Sequence, residues 1–244
     1  MCDNSNVLIS VGELVRRFGI QPKRVLHVGG HLGEEHEDMS AYGWGKDGVF
    51  WVESQEDLCG EMRRKFANSN NTVISATVWS KSGVRMIFHE NLNSQSSSLY
   101  QLGTHKDSYP EFIEINEREV ITSTLDSLEE IPRGIDFMNL DVQGAELEAL
   151  KGASSILEEI QWIYTEVNRN YVYKSCPLVE EVDEFLKTKG FKRVATRWSF
   201  GEHWGDALYG RKPYLKARLQ FLFSEKASNI LLKIRYTIHD LKKS

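Results

Sequence analysis

The chain has 244 residues, 41% hydrophobic and 27% charged, which suits a soluble globular protein of one large domain or one domain with an appendage. Its formal charge of −5 is uneven: residues 211–244 carry net +7 and leave −12 on residues 1–210, a balance that argues against a nucleic-acid enzyme. Three cysteines, Cys2, Cys59 and Cys176, have no C-x-x-C spacing, so neither a disulfide framework nor a structural zinc site is expected. No apolar run approaches about 18 residues and the start lacks the order of a leader, so a cytoplasmic location is expected.

Ser10 to Glu13 reads as a capping box, opening a helix with Val11, Leu14, Val15 and Phe18 on one face and Gly19 as its stop. That helix is expected to cover an edge of the first strand. The stretch from Lys23 to Ser54 follows: a strand at 24–28, a glycine loop at Gly29, Gly30 and Gly33, a helix from 34 to 42, and a strand at 49–52 ending beside Glu53. Glycines let the chain turn sharply and bring backbone N–H groups close to a ligand. A carboxylate twenty residues beyond Gly33 is placed to accept hydrogen bonds from a ribose diol. The pattern is not the full G-x-G-x-x-G, and a tight turn followed by a solvated Glu is the plainer reading.

A helix at 56–67 presents Leu58, Met62 and Phe66, and strands follow at 72–76 and 84–88. Residues 90–118 are irregular and polar, which points to a ligand-facing loop, with disorder of the serine run as the alternative. Further strands are expected at 120–122, 135–140 and 162–167, with helical turns after Gly144 and a helix after Pro177 that Gly190 ends. Residues 191–198 and 207–209 read as a closing antiparallel pair. About seven main strands with interleaved helices give a mostly parallel, three-layer α/β sheet.

Seven blocks in this order resemble the FkbM-like family of S-adenosylmethionine-dependent methyltransferases. They include H-V-G-G-H-L-G at 27–33, V-F-W-V-E-S at 49–54, N-S-Q-S-S-S-L at 93–99 and T-L-D-S-L at 124–128. The most specific is D-F-M-N-L-D-V-Q-G-A-E-L-E-A-L-K-G-A at 136–153; I-Y-T-E-V at 163–167 and W-G-D-A-L-Y at 204–209 complete the match. The resemblance implies the Rossmann-like class I methyltransferase fold over 23–211, a seven-stranded sheet with the last strand antiparallel. It implies S-adenosylmethionine as cofactor, with Gly29, Gly30, His31 and Gly33 around its methionine and ribose. Glu53 with Ser54 would meet the ribose hydroxyls, Thr77 and Val78 the adenine, and Asp141 the methyl-transfer cleft. Family members are similar to enzymes that methylate hydroxyls, many on sugars. The chain departs from the family at His27, where an acid is usual, at His31, commonly Asn, and at Gln143, usually Glu.

Methyl transfer to a hydroxyl needs donor and acceptor in line at roughly 3 Å, exclusion of water and a destination for the proton. Asp141 is a candidate active-site group or a helix cap. Glu146 either favours a helix N-terminus or takes part in the site. Glu166, at the end of the next strand, shares the sheet edge with Asp141 as acceptor-binding group or base. His203 is the candidate general base, with a hydrogen-bonded turn histidine as the alternative and Asp206 beside it. Ser96, Ser97, Ser98 and Trp204 are expected to bind a small-molecule or glycan substrate. No metal is expected, because histidines 27, 31 and 36 form no ligand pattern.

The competing readings are an NAD(P)-dependent oxidoreductase and a catalytically silent nucleotide- or glycan-binding module. Residues 1–22 read as an N-terminal helical extension and 212–244 as a basic helical tail. In the tail Ala227, Ile230, Leu231, Ile234, Ile238 and Leu241 make one stripe among basic residues. It is expected to pack on the body or on a second subunit, or to give residues 213–244 a weak contact with an anionic membrane.

Overall fold

The computed structural model describes residues 8–103, 113–199 and 203–211. The basic tail with its apolar stripe lies outside them.

Ten strands occur among the described residues. They are β1 (Val25–Val28), β2 (Val49–Glu53), β3 (Thr72–Ser75), β4 (Thr77–Val78), β5 (Arg85–Asn91), β6 (Glu114–Ser123), β7 (Phe137–Leu140), β8 (Trp162–Asn168), β9 (Phe191–Trp198) and β10 (Trp204–Arg211). Seven form one sheet in the order β3-β2-β1-β7-β8-β10-β9, with β10 antiparallel to both neighbours. This is the expected mostly parallel class I methyltransferase arrangement. The other three form a separate sheet in the order β4-β6-β5. Residues 114–118, expected to be irregular, belong to β6: the E-I-N-E-R run pairs with β5 despite its polarity, because cross-strand bonds outweigh weak strand propensity.

Every residue of β1, β2, β7 and β8 is buried, as expected of parallel strands covered on both faces. On one face Leu26, Val28, Val52, Met138, Leu140 and Ile163 meet α4 (Glu146–Lys151), α5 (Ile156–Glu159) and α6 (Val179–Thr188). On the other face Val25, Trp51, Phe137, Tyr164 and Leu208 meet α1 (Val11–Phe18), α2 (His36–Ala41) and α3 (Glu56–Lys65). Each Leu, Ile, Val or Phe fully buried this way contributes about 1.5–3 kcal/mol.

Half of the expected capping box forms at α1: Ser10 accepts from the Glu13 N–H, while the Glu13 carboxylate bonds Arg17 and Arg197; Gly19 closes the helix at φ 64°. Its position differs from expectation. Val11, Leu14 and Phe18 join the core across the sheet face instead of covering the edge of β1, because their stripe matches the large apolar groups Trp162 and Phe137.

Candidate functional site

The strands β1, β2, β7 and β8 end along one edge of the sheet, and a cavity of about 330 Å³ opens there. That volume is in the range of about 300–1,000 Å³ usual for cofactor sites.

At one end the chain turns after β1. Gly29 has φ 82°, and a Cβ there would stand 1.7 Å from the Asp141 carbonyl oxygen, so only glycine fits. The Gly29 and Gly30 N–H groups both donate to the Val52 carbonyl, at 2.8 and 3.1 Å, which ties the loop to β2. Glu53 accepts from the backbone N–H groups of His31, Ser54 and Gln55 at 2.8–2.9 Å. Burial raises its pKa while those three donors pull it down. A carboxylate offers about four acceptor positions, so capacity remains for a diol. Ser54 Oγ lies 2.6 Å from Thr77 Oγ1, and Ser54, Thr77 and Val78 line the wall beyond Glu53.

His31, at φ 44°, is hydrogen-bonded on both ring nitrogens: Nδ1 to Glu34 at 2.6 Å and Nε2 to Ser94 Oγ at 2.8 Å. Burial works against its charged form, but the hydrogen bond and charge of Glu34 outweigh it and leave its pKa above the ordinary value. It therefore joins the glycine loop to the serine loop. His27 does not reach the cavity. Its side chain is on the α1–α3 face, stacked on Trp51 at 4.6 Å, and burial pushes its pKa down to about 4. Acidity at this end comes instead from Glu34 and Glu35, and burial raises Glu35 to about 7.

At the other end Asp141, Gln143, Glu166, Tyr164, Trp204 and Asp206 line the cavity. The Gln143 amide donates to Asp141 at 2.5 Å and to Glu166 at 3.4 Å, and its own oxygen accepts from the Tyr173 hydroxyl at 2.5 Å. An ionised carboxylate in place of Gln143 would have no proton to donate to either acid. Burial pushes Asp141 up to about 6 and, with the charges of Asp141 and Glu146, holds Glu166 well above the carboxylate range. Asp206, raised to about 7 by burial, accepts from the Tyr164 hydroxyl and from the Leu8 N–H at 2.6 Å. The Ile9 N–H donates to the same Tyr164 hydroxyl at 3.1 Å. The segment before α1 is thus bonded to this wall.

Four expected site residues are not part of the lining. His203 precedes β10 by one residue, so its ring is exposed and its Nδ1 meets Asn170 at 2.5 Å. Glu146 is 3% exposed and turns back to accept from the Val142 and Gly144 N–H groups at 3.0 and 3.1 Å, which makes it the brace of the loop after Asp141. Ser98 donates to the Gln143 carbonyl at 2.6 Å and ties the serine loop to the same place, whereas Ser96 and Ser97 do line the cavity. Gly33 is a packing glycine: a Cβ would come within 2.7 Å of the Phe66 ring. The lining residues Glu34, Glu35, Gln55 and Tyr164 were not anticipated. Glu34 and Glu35 follow the glycine loop directly, which is a usable signal; Tyr164 sits in an apolar run and gives none.

Residues 27–193 match the Methyltransferase FkbM domain, from β1 into β9. No curated protein matches the chain. The crystal structure of methyltransferase FkbM from Methylobacillus flagellatus KT is similar in fold, at 14% identity and a TM-score of 0.52. That match covers 77% of this chain and 43% of that one, so it spans less than half of the Methylobacillus chain. Magnesium protoporphyrin IX methyltransferase from Synechocystis PCC 6803 with bound SAH is looser, at 11% identity and a TM-score of 0.47 over 82% of this chain and 80% of that one. The domain match takes in the glycine loop, Glu53, Asp141 and Glu166 in one continuous stretch, and on it the chain belongs to the FkbM methyltransferase family.

Proposed function

We propose that the chain transfers the methyl group of S-adenosylmethionine to a hydroxyl of a sugar, glycan or other small acceptor. One observation carries this reading: a single cavity joins Glu53 at one end to the acid pair Asp141 and Glu166 at the other. The donor set fits the cofactor. Glu53 suits a ribose diol, Thr77 and Val78 suit the flank of adenine, and Glu34, Glu35 and Asp141 offer negative charge to an ammonium and a sulfonium.

When bound, S-adenosylmethionine supplies an electrophilic methyl on a positive sulfur. The chain does the rest. The glycine loop and Glu53 fix the donor, and Trp204 with Ser96 and Ser97 faces the acceptor. Glu166, in its ionised form, would take the proton that the acceptor hydroxyl loses. Gln143 holds Glu166 and Asp141 together for this step, and the positive sulfonium lowers the cost of ionising both. His203 is replaced as the base in this scheme because its ring is outside the cavity.

Calorimetry tests the cofactor: S-adenosylmethionine should bind at least about tenfold more tightly than NAD⁺, and equal binding overturns the reading. An acceptor screen read by mass spectrometry tests the reaction. Transfer confined to amine nitrogen or nucleic acid would remove the hydroxyl assignment.

A further inference from the structure

The three-stranded sheet holds a group of side chains that methyl transfer does not use. His89 on β5 is directly opposite Glu117 on β6. Residues 114 and 117 are an odd number of positions apart, so in a regular strand they would point to opposite faces. A bulge changes this: Asn91 pairs with Glu114 and Glu90 with Asn116, leaving Ile115 as the extra residue. The extra residue restores Glu114 to the face of His89 and Glu117. The ligand-capable atoms of all three lie within 4.8 Å of one another.

His89 is only 7% exposed, and its Nδ1 makes no hydrogen bond. Glu117 and Glu114 nevertheless place carboxylate oxygens 3.1 and 3.4 Å from that nitrogen. A hydrogen bond wants its acceptor in line with the N–H; two oxygens this close but off that line are arranged as donors about a common point. Donors bound to one ion at about 2.0–2.2 Å stand about 3.0–3.4 Å apart at octahedral to tetrahedral angles. One neutral imidazole and two carboxylates also balance the charge of a divalent cation.

We propose that His89, Glu114 and Glu117 form a binding site for a divalent first-row transition-metal ion such as Zn²⁺ or Mn²⁺. The imidazole disfavours Mg²⁺ and Ca²⁺, which prefer all-oxygen shells. The ion is not in the path of methyl transfer. It clips the bulge of β6 to β5 where the serine loop begins and ends: the His89 N–H and carbonyl pair with Ser98 at 2.8 and 3.0 Å, beside the cavity-lining Ser96 and Ser97. Metal binding thus stiffens the base of the loop that closes the cavity.

The test uses the full chain, stripped with chelator and dialysed. Titration calorimetry with Zn²⁺, Mn²⁺ and Mg²⁺ should show one Zn²⁺ per chain, with Mg²⁺ at least about 100-fold weaker. Glu117→Gln, at a half-exposed position that leaves the core untouched, and Glu114→Gln should each weaken Zn²⁺ at least about 10-fold, and His89→Ala more. Bound Co²⁺ should show ligand-field absorption without a thiolate charge-transfer band, which distinguishes this site from one at a cysteine. No Zn²⁺ or Mn²⁺ binding by the wild type, or undiminished binding by both glutamine variants with normal circular dichroism, overturns the proposal. Those results leave the methyltransferase reading unaffected.

Discussion

The two ends of the cavity are built by different means. Around Gly29 and Glu53 the geometry is set by backbone: N–H groups of the glycine loop bond β2, and three more hold the Glu53 carboxylate. Around Asp141 and Glu166 it is set by side chains bonding other side chains, through Gln143, Tyr173 and the Tyr164–Asp206 pair. Backbone geometry tolerates most side-chain exchanges, so the first end keeps its shape unless a residue such as Gly29 is replaced. Side chains can be exchanged singly, so the second end can be reshaped one residue at a time. The difference teaches where to look for specificity in this family member.

The comparison breaks most readily at Gly29. Gly29→Ala drives a Cβ into the Asp141 carbonyl at a positive φ, and should weaken S-adenosylmethionine at least about 100-fold and cost about 2–4 kcal/mol of stability. Calorimetry and a denaturant melt measure both, and a normal variant would refute backbone control. Glu166→Gln attacks the other end: kcat should fall about 100-fold while cofactor affinity stays within about threefold. Equal losses in both would merge the two ends into one. Glu53→Ala should cost about 1.5–3 kcal/mol of cofactor affinity by the same calorimetry, with the melt only modestly shifted.

A smaller effect comes from pH. Asp141, raised to about 6, and Glu146 and Asp206, raised to about 7, bind protons more tightly folded than unfolded. Their stabilisation is complete below the unfolded carboxylate pKa near 4 and is lost as pH rises through about 6–7. His27, lowered to about 4, acts oppositely, but its effect is complete once pH exceeds about 6.5. The Tm of the cofactor-free protein should therefore fall between pH 6.5 and 8, and less so with the cationic cofactor bound; a rising Tm would contradict the buried-acid account. The smallest effect is expected of His203→Ala, a change in kcat under about threefold because its ring is exposed. A loss of about 100-fold there would return the base role to that turn.

The sheet was legible because burial on both faces writes apolar runs such as V-L-H-V and W-I-Y-T-E-V directly into the sequence, and glycine loops punctuate them. The Gly29–Glu53 end of the cavity was legible too, because both residues are local features at fixed offsets. Gln143 was visible as a substitution, but its two-acid bridge was not, since Glu166 is 23 residues away and only β7–β8 pairing brings it near. The His89 cluster was less legible still, because Glu114 reaches it only through a bulge and no spacing rule encodes that. His203 falls outside the cavity because it precedes β10 by a residue, and proximity in sequence to a strand end does not fix which way a ring points.

The bonds from Leu8 and Ile9 to Asp206 and Tyr164 also bear on how the protein is handled. The segment that leads into the first helix is a structural element of the cavity wall at Tyr164 and Asp206, although it is far from Asp206 in sequence. Arg197 fixes it a second time, donating to the Leu8 carbonyl at 2.6 Å. Trimming the chain up to Leu8, or fusing a tag close to it, is therefore expected to disturb Asp206 and Tyr164 while leaving the Gly29–Glu53 end of the cavity as it is.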